Sequence, residues 1–171
     1  ASSPRVCGSA TVSFTSTYKP PRAPIAGQCT AQQIESFVLA CAMPSDASGL
    51  CSGFFSTAPA CAQCLSTQWN EAAWSAFVLQ QDGTYAWNSG GCEELTVGAG
   101  CGKKLQDYRD CFRAACKGCE ASFECHTFGV SPAACTSLQA ARCADPAGPT
   151  SCAEGEVLPV LSHIGSVFCP P

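Results

Sequence analysis

Sixteen cysteines stand in a chain of 171 residues, an even number that lets every thiol pair into eight disulfides. A reducing cytosol strips such bridges, so an oxidising compartment is required, and a secreted or cell-surface, extracellular location is expected. The cysteines are Cys7, Cys29, Cys41, Cys51, Cys61, Cys64, Cys92, Cys101, Cys111, Cys116, Cys119, Cys125, Cys135, Cys143, Cys152 and Cys169. They run from end to end of the chain and read as a disulfide framework. Their pairing order is open, since sixteen cysteines allow roughly two million connectivities by the counting that gives about 105 for eight. A chain of this length also buries roughly two-thirds of its extended surface on folding, enough for an ordinary core. The bridges, typically about 2–4 kcal/mol each, therefore add persistence to a core rather than stand in for one.

Charge narrows the class further. Lys and Arg number 9 against 13 Asp and Glu, a net charge of −4. Nucleic acid is excluded as a partner, because its binding needs a basic face that displaces counterions. The longest apolar run, Phe37 to Met43, has seven residues, far short of the roughly 18 that a membrane helix needs. No transmembrane segment is expected. The start at Ala1 is what a mature exported form would show. Neither Asn70 nor Asn88 begins an N-x-[ST] sequon, so N-glycosylation is not expected.

Residue patterns divide the chain into an extended arm, residues 1–28, and a single disulfide-bonded helical domain, residues 29–171. In the arm, Val12, Phe14, Ser16 and Tyr18 alternate with threonines and serine, as a strand does. Lys19-Pro20-Pro21-Arg22-Ala23-Pro24 follows as a polyproline II spacer. Such an arm serves either as a first strand with its linker or as a reach to a neighbouring subunit. Thr30-Ala31-Gln32-Gln33 fits a capping box, and Ile34, Phe37, Val38 and Cys41 then make one apolar stripe ending before Pro44. The intervals of ten between Cys41, Cys51 and Cys61 predict short helices held by bridges. Gln80-Gln81-Asp82-Gly83 between apolar runs predicts a β-hairpin over about 74–89 with a type I′ turn at Asp82-Gly83. The clearest helix spans Cys101 to about Lys117, with Leu105, Tyr108, Cys111, Phe112 and Ala115 inside and Lys103, Gln106, Asp107, Asp110 and Arg113 outside. Ser131-Pro132 opens another helix to about Cys143, and Val157 to Phe168 forms the last before Cys169. The fold class is thus mainly α and disulfide-rich, with several short bridged helices, one β-hairpin and an extended arm.

No set of residues carries chemistry. Cys61-Ala62-Gln63-Cys64 and Cys116-Lys117-Gly118-Cys119 have redox spacing, but neither stands at a helix N-terminus within a βαβ unit. Cys116, Cys119, Cys125 and His126 have loose zinc-like spacing, and an oxidising compartment consumes the thiols. No EF-hand run and no G-x-S-x-G elbow occur. Glu93-Glu94 and Glu154/Glu156 are paired acids of the kind glycoside hydrolysis uses, and adjacent surface acids are common. His163, between Leu161 and Ile164, reads as the edge of the last helix. No cofactor, metal or catalytic residue is expected.

The aromatic group Trp69, Trp74, Tyr85 and Trp87 gathers all three tryptophans near the hairpin. Either these rings fill a core, or an exposed hairpin face lets them stack on sugars or enter a partner's pocket.

Cys61-Ala62-Gln63-Cys64-Leu65, Ala73-Trp74, Gly90-Gly91-Cys92, Ala114-Ala115-Cys116 and the closing Phe168-Cys169 together resemble uncharacterised secreted Cys-rich proteins of myxobacterial type. The likeness covers about residues 58–171, and the first 57 residues are individual. It implies export and disulfide bridging and carries no activity. The expected function is that of a non-catalytic secreted or cell-surface structural or interaction protein, a self-assembling filament or surface-layer subunit whose partner is a copy of itself. The alternative is an extracellular binding module for carbohydrate or a small apolar ligand.

Overall fold

Thr30 starts the first helix as its sequence predicts. Its Oγ1 accepts from Gln33 N–H at 3.2 Å while Gln33 Oε1 accepts from Thr30 N–H at 2.8 Å, a reciprocal capping box. Helix α1 runs Ala31–Phe37 and continues as a π-helical turn, Val38–Ala42. The structure is a computed structural model that describes residues 12–43, 48–116, 133–144, 151–153 and 155–171. Within them follow α2 (Ser48–Thr57), α3 (Pro59–Leu65), β1 (Ser66–Gln68), β2 (Phe77–Leu79) and β3 (Tyr85–Trp87). Next come α4 (Ser89–Thr96), α5 (Cys101–Cys116), a 3₁₀ turn (Ala133–Cys135), α6 (Thr136–Ala141) and α7 (Val157–Phe168). The protein is mainly α and disulfide-rich. The start signal at Ser131-Pro132 lies outside the described residues, as do Cys7, Cys119, Cys125, His126 and Glu154.

One ring organises the main core. Phe37 is fully buried and meets Phe77 at 5.2 Å, Phe54 at 5.4 Å and Tyr85 at 5.6 Å between centroids, the tilted and edge-on arrangements that aromatic quadrupoles favour. Helix α7 closes this core with Val160, Leu161, Ile164 and Phe168. A smaller cluster joins Cys111, Ala115 and Cys135 to Val12 and Phe14 of the arm. Six bridges tie the elements: Cys29–Cys61, Cys41–Cys51, Cys64–Cys169, Cys92–Cys152, Cys101–Cys143 and Cys111–Cys135. Cys116 is disulfide-bonded as well. Cys61 and Cys64 thus bond to different partners, so their C-x-x-C spacing is structural.

Several expectations are corrected. Residues 12–18 are extended but join no sheet. Instead the arm makes one parallel bridge at Pro21, through Arg22 N–H to Trp74 O (2.8 Å) and Trp74 N–H to Pro20 O (3.0 Å). A proline suits the middle of such a bridge, because the bonds use its neighbours' groups. The hairpin β2–β3 is present, antiparallel, with Val78 opposite Ala86, but its turn is not type I′. Only glycines have positive φ among the described residues, and Gly83 at φ 83 is the turn's one. Gly83 N–H donates to Gln80 O and Gln80 N–H to Thr84 O, the three-residue type I turn with a glycine bulge. Asp82 gains a different role, accepting from Thr84 N–H at 3.0 Å and Thr84 Oγ1 at 2.7 Å, bonds that hold its carboxyl below the usual range. A strand missed by sequence, β1, pairs in parallel with β2. Three residues are too few to show alternation.

Helix α5 is as expected in span and apolar face, but Gln106 and Asp110 are buried rather than solvent-facing. The arm covers them. Thr17 N–H donates to Asp110 Oδ2 at 2.6 Å, and Gln106 Nε2 donates to Thr17 Oγ1 and Asp110 Oδ1, both at 3.0 Å. Helix periodicity cannot register a cover supplied by residues ninety positions away.

Helices α4 and α5 touch backbone to backbone at Gly90 and Gly102. A Cβ on Gly102 would overlap the Gly90 carbonyl, while one on Gly53 in α2 meets nothing within 4 Å. Gly102→Ala should therefore destabilise by about 1–3 kcal/mol through overpacking. Gly53→Ala should stabilise by up to about 1 kcal/mol through helix propensity. Paired urea titrations check this, and equal signs for the two substitutions would contradict the packing.

Candidate functional site

The short parallel connection between β1 and β2 puts two tryptophans on the surface. Residues 69–76 form an irregular loop that the arm fixes from outside. Lys19 Nζ donates to Trp69 O and Glu71 O, both at 2.7 Å, and stands 5.1 Å above the Trp74 ring. Arg22 pairs with the Glu71 carboxylate, whose other oxygen accepts from Gln68 N–H at 2.8 Å. Trp74 Nε1 donates to Trp69 O at 3.3 Å. The loop is thus held by charge-assisted bonds at its Trp69–Glu71 end and by backbone bonds to the arm at Trp74.

A cleft of about 370 Å³ opens beside this loop. Val78 and Ala86, paired across the hairpin, form its floor, while Trp69, Trp74 and Trp87 form walls and residues 16–19 of the arm a further side. Trp69 and Trp87 are each 41% exposed, and Trp74 is half-buried. Tyr85 parts from this group: it packs on Phe37 in the core, on the other side of the sheet from Val78 and Ala86. Strand alternation sets Tyr85 on the face opposite Ala86 and predicts Trp87 there too, yet Trp87, the last residue of β3, lines the cleft. Burial raises the Tyr85 phenol above the ordinary value.

A second cavity of about 510 Å³ adjoins the first, sharing Trp87 and Arg113. Its wall carries Tyr108 and Phe112 of α5 with three guanidinium groups, Arg109, Arg113 and Arg142. Arg109 Nη1 donates to Ser89 Oγ at 2.7 Å. Burial first, then the like charges of Arg113 and Arg142, push the Arg109 guanidinium down to about 10. Arg142 lies over the Tyr108 ring at 5.4 Å and reaches Glu93 at 3.6 Å. Sequence reading missed this group. The i, i+4 spacing of Arg109 and Arg113 sets both on one side of α5, but nothing local brings Arg142 to them.

The sequence's other candidates disperse. Glu93 is fully buried toward Arg142, whereas Glu94 accepts from Gly100 N–H (2.8 Å) and Gly102 N–H (2.9 Å) and caps the start of α5. Adjacent in sequence, these carboxylates serve different structural ends. Burial first, then the charge of Glu94 and a hydrogen bond to it, lift the Tyr18 phenol above its ordinary value. Cys92, Cys152 and His163 place their donor atoms within 4.8 Å of one another, but the two sulfurs are joined as a disulfide and offer no thiolate to a metal. Comparison of the chain with protein-family models, curated proteins and solved structures finds no match.

Proposed function

We propose that the protein is a non-catalytic extracellular binding module that seats a sugar ring in the cleft between Trp69, Trp74 and Trp87. The observation that carries this reading is the exposure of Trp69 and Trp87, 41% each, on the rim of a concavity with an apolar floor. Each of these rings forgoes part of the roughly 1.5–3 kcal/mol that full burial of a large apolar side chain gains, Trp69 on the 69–76 loop and Trp87 at the end of β3. Flat rings beside amide and hydroxyl groups, such as Gln80 and Ser16, suit a pyranose, whose C–H face stacks while its hydroxyls hydrogen-bond. Six described disulfides support an oxidising, extracellular setting. One of the grounds for self-assembly, an arm reaching a neighbouring subunit, is weakened by residues 16–27 bonding within their own chain.

Calorimetry against a panel of neutral and acidic polysaccharides tests the proposal. Trp69→Ala and Trp87→Ala should each weaken binding about tenfold, the effect of about 1.4 kcal/mol at a contact anchor, without moving the thermal midpoint. Binding unchanged by both substitutions would contradict the reading, as would no binding to any member of the panel.

A further inference from the structure

Resting on the sugar-binding reading of the cleft, we propose that the adjoining cavity is an anion subsite, so that the bound saccharide is acidic, bearing a carboxylate or sulfate ester. The chain has five arginines and a net charge of −4, yet three of the five line this one cavity. Like charges gather at such cost only where a counter-charge compensates them. Two carboxylates lie nearby, Glu93 and Asp110, and neither lines the cavity. Among the described residues, the local balance is three positive groups against two negative ones.

The donors are also differently committed. Arg142 is held by Glu93 and the Tyr108 face. Arg109 carries five N–H donors, and one of them goes to Ser89. Arg113 is the loosest, with its side chain 64% exposed and 3.6 Å from an Asp110 oxygen. That carboxylate already accepts from Thr17 and Gln106 at 2.6–3.1 Å. A guanidinium so placed can turn to a ligand oxygen pair in the bidentate geometry that carboxylates and sulfates share. Arg113 also borders the tryptophan cleft, so a ring stacked there carries its acidic substituent into the second cavity.

The test uses matched ligand pairs at low ionic strength: oligogalacturonate against its methyl ester, and dextran sulfate against dextran. Calorimetry on the intact protein should give at least about tenfold tighter binding of one charged member over its neutral twin, shrinking as salt is added. Whichever pair shows the difference identifies the acid as carboxylate or sulfate ester. Arg113→Gln, a change at an exposed side chain, should bring the charged member down to the affinity of its neutral twin, while Trp69→Ala should weaken both. Equal, Trp69-dependent binding within each pair would overturn the anion subsite and leave the sugar cleft standing. A charge preference that survives Arg113→Gln would also overturn it. Binding of none of the four would overturn the cleft and the subsite together.

Discussion

Replacing Cys64 and Cys169 together by alanine should lower stability by about 4 kcal/mol with every other bridge intact. The bridge spans 105 residues and joins α3 to the C-terminus, but Cys92–Cys152 short-circuits that loop. The free path from Cys64 to Cys92 and from Cys152 to Cys169 is roughly 45 residues, and chain entropy then gives about 4 rather than about 4.7 kcal/mol. Both half-cystines are buried against α7. The arm depends on the same staple, since Ile25 N–H and Gly27 N–H donate to Phe168 O and Pro170 O, both at 2.9 Å. Hydrogen exchange at Ile25 and Gly27 should therefore quicken along with the fall in urea midpoint. Removing Cys41–Cys51, which closes ten residues beside an exposed helix edge, should cost less, about 2–3 kcal/mol. Equal losses from the two bridges would refute the loop argument.

Glu93→Ala should cost about 3–5 kcal/mol, the usual consequence of removing one partner from a buried ion pair. Glu93 is fully inaccessible and faces Arg142, whose side chain is only 15% exposed. Its charge also offsets the mutual repulsion felt by Arg109, Arg113 and Arg142. Deleting it leaves those guanidinium groups opposed at the edge of the second cavity, next to a new void where the carboxylate was. The double variant Glu93→Ala, Arg142→Ala should lose clearly less than the sum of the single changes, because the second removes a charge that the first stranded. A urea-denaturation cycle checks this, and strict additivity would mean that the pair is not coupled.

Local signals were legible wherever chemistry and structure lie close in the chain. The capping box at Thr30, the stripe Ile34–Phe37–Val38, the span of α5 and that of α7 are set by neighbours within one or two turns, and sequence periodicity reports such neighbours faithfully. The turn at Asp82-Gly83 was legible as a hairpin but not as a type, since Asp-Gly fits both a I′ turn and a type I turn whose glycine forms the bulge. Gln106 and Asp110 were misplaced because they are polar and periodic with the solvent face, and the cover over them comes from Thr17. The candidate site was half visible: the tryptophan cluster could be seen, but not whether it faced core or water.

By itself, the sequence determined the mainly helical class and the cysteine-rich, bridged character of the chain, because composition and short-range periodicity suffice for these. Tertiary structure decided the bridge partners, since loop closure is nearly indifferent to which distant cysteine is met. It decided too that Tyr85 packs on Phe37 in the core while Trp69 and Trp87 stay partly in solvent, since alternation alone would set Tyr85 and Trp87 on one face. The meeting of Arg109 and Arg113 with Arg142 belongs to the same class. Bridges Cys101–Cys143 and Cys111–Cys135 hold α6 against α5, and only that docking brings the third guanidinium within reach of the other two.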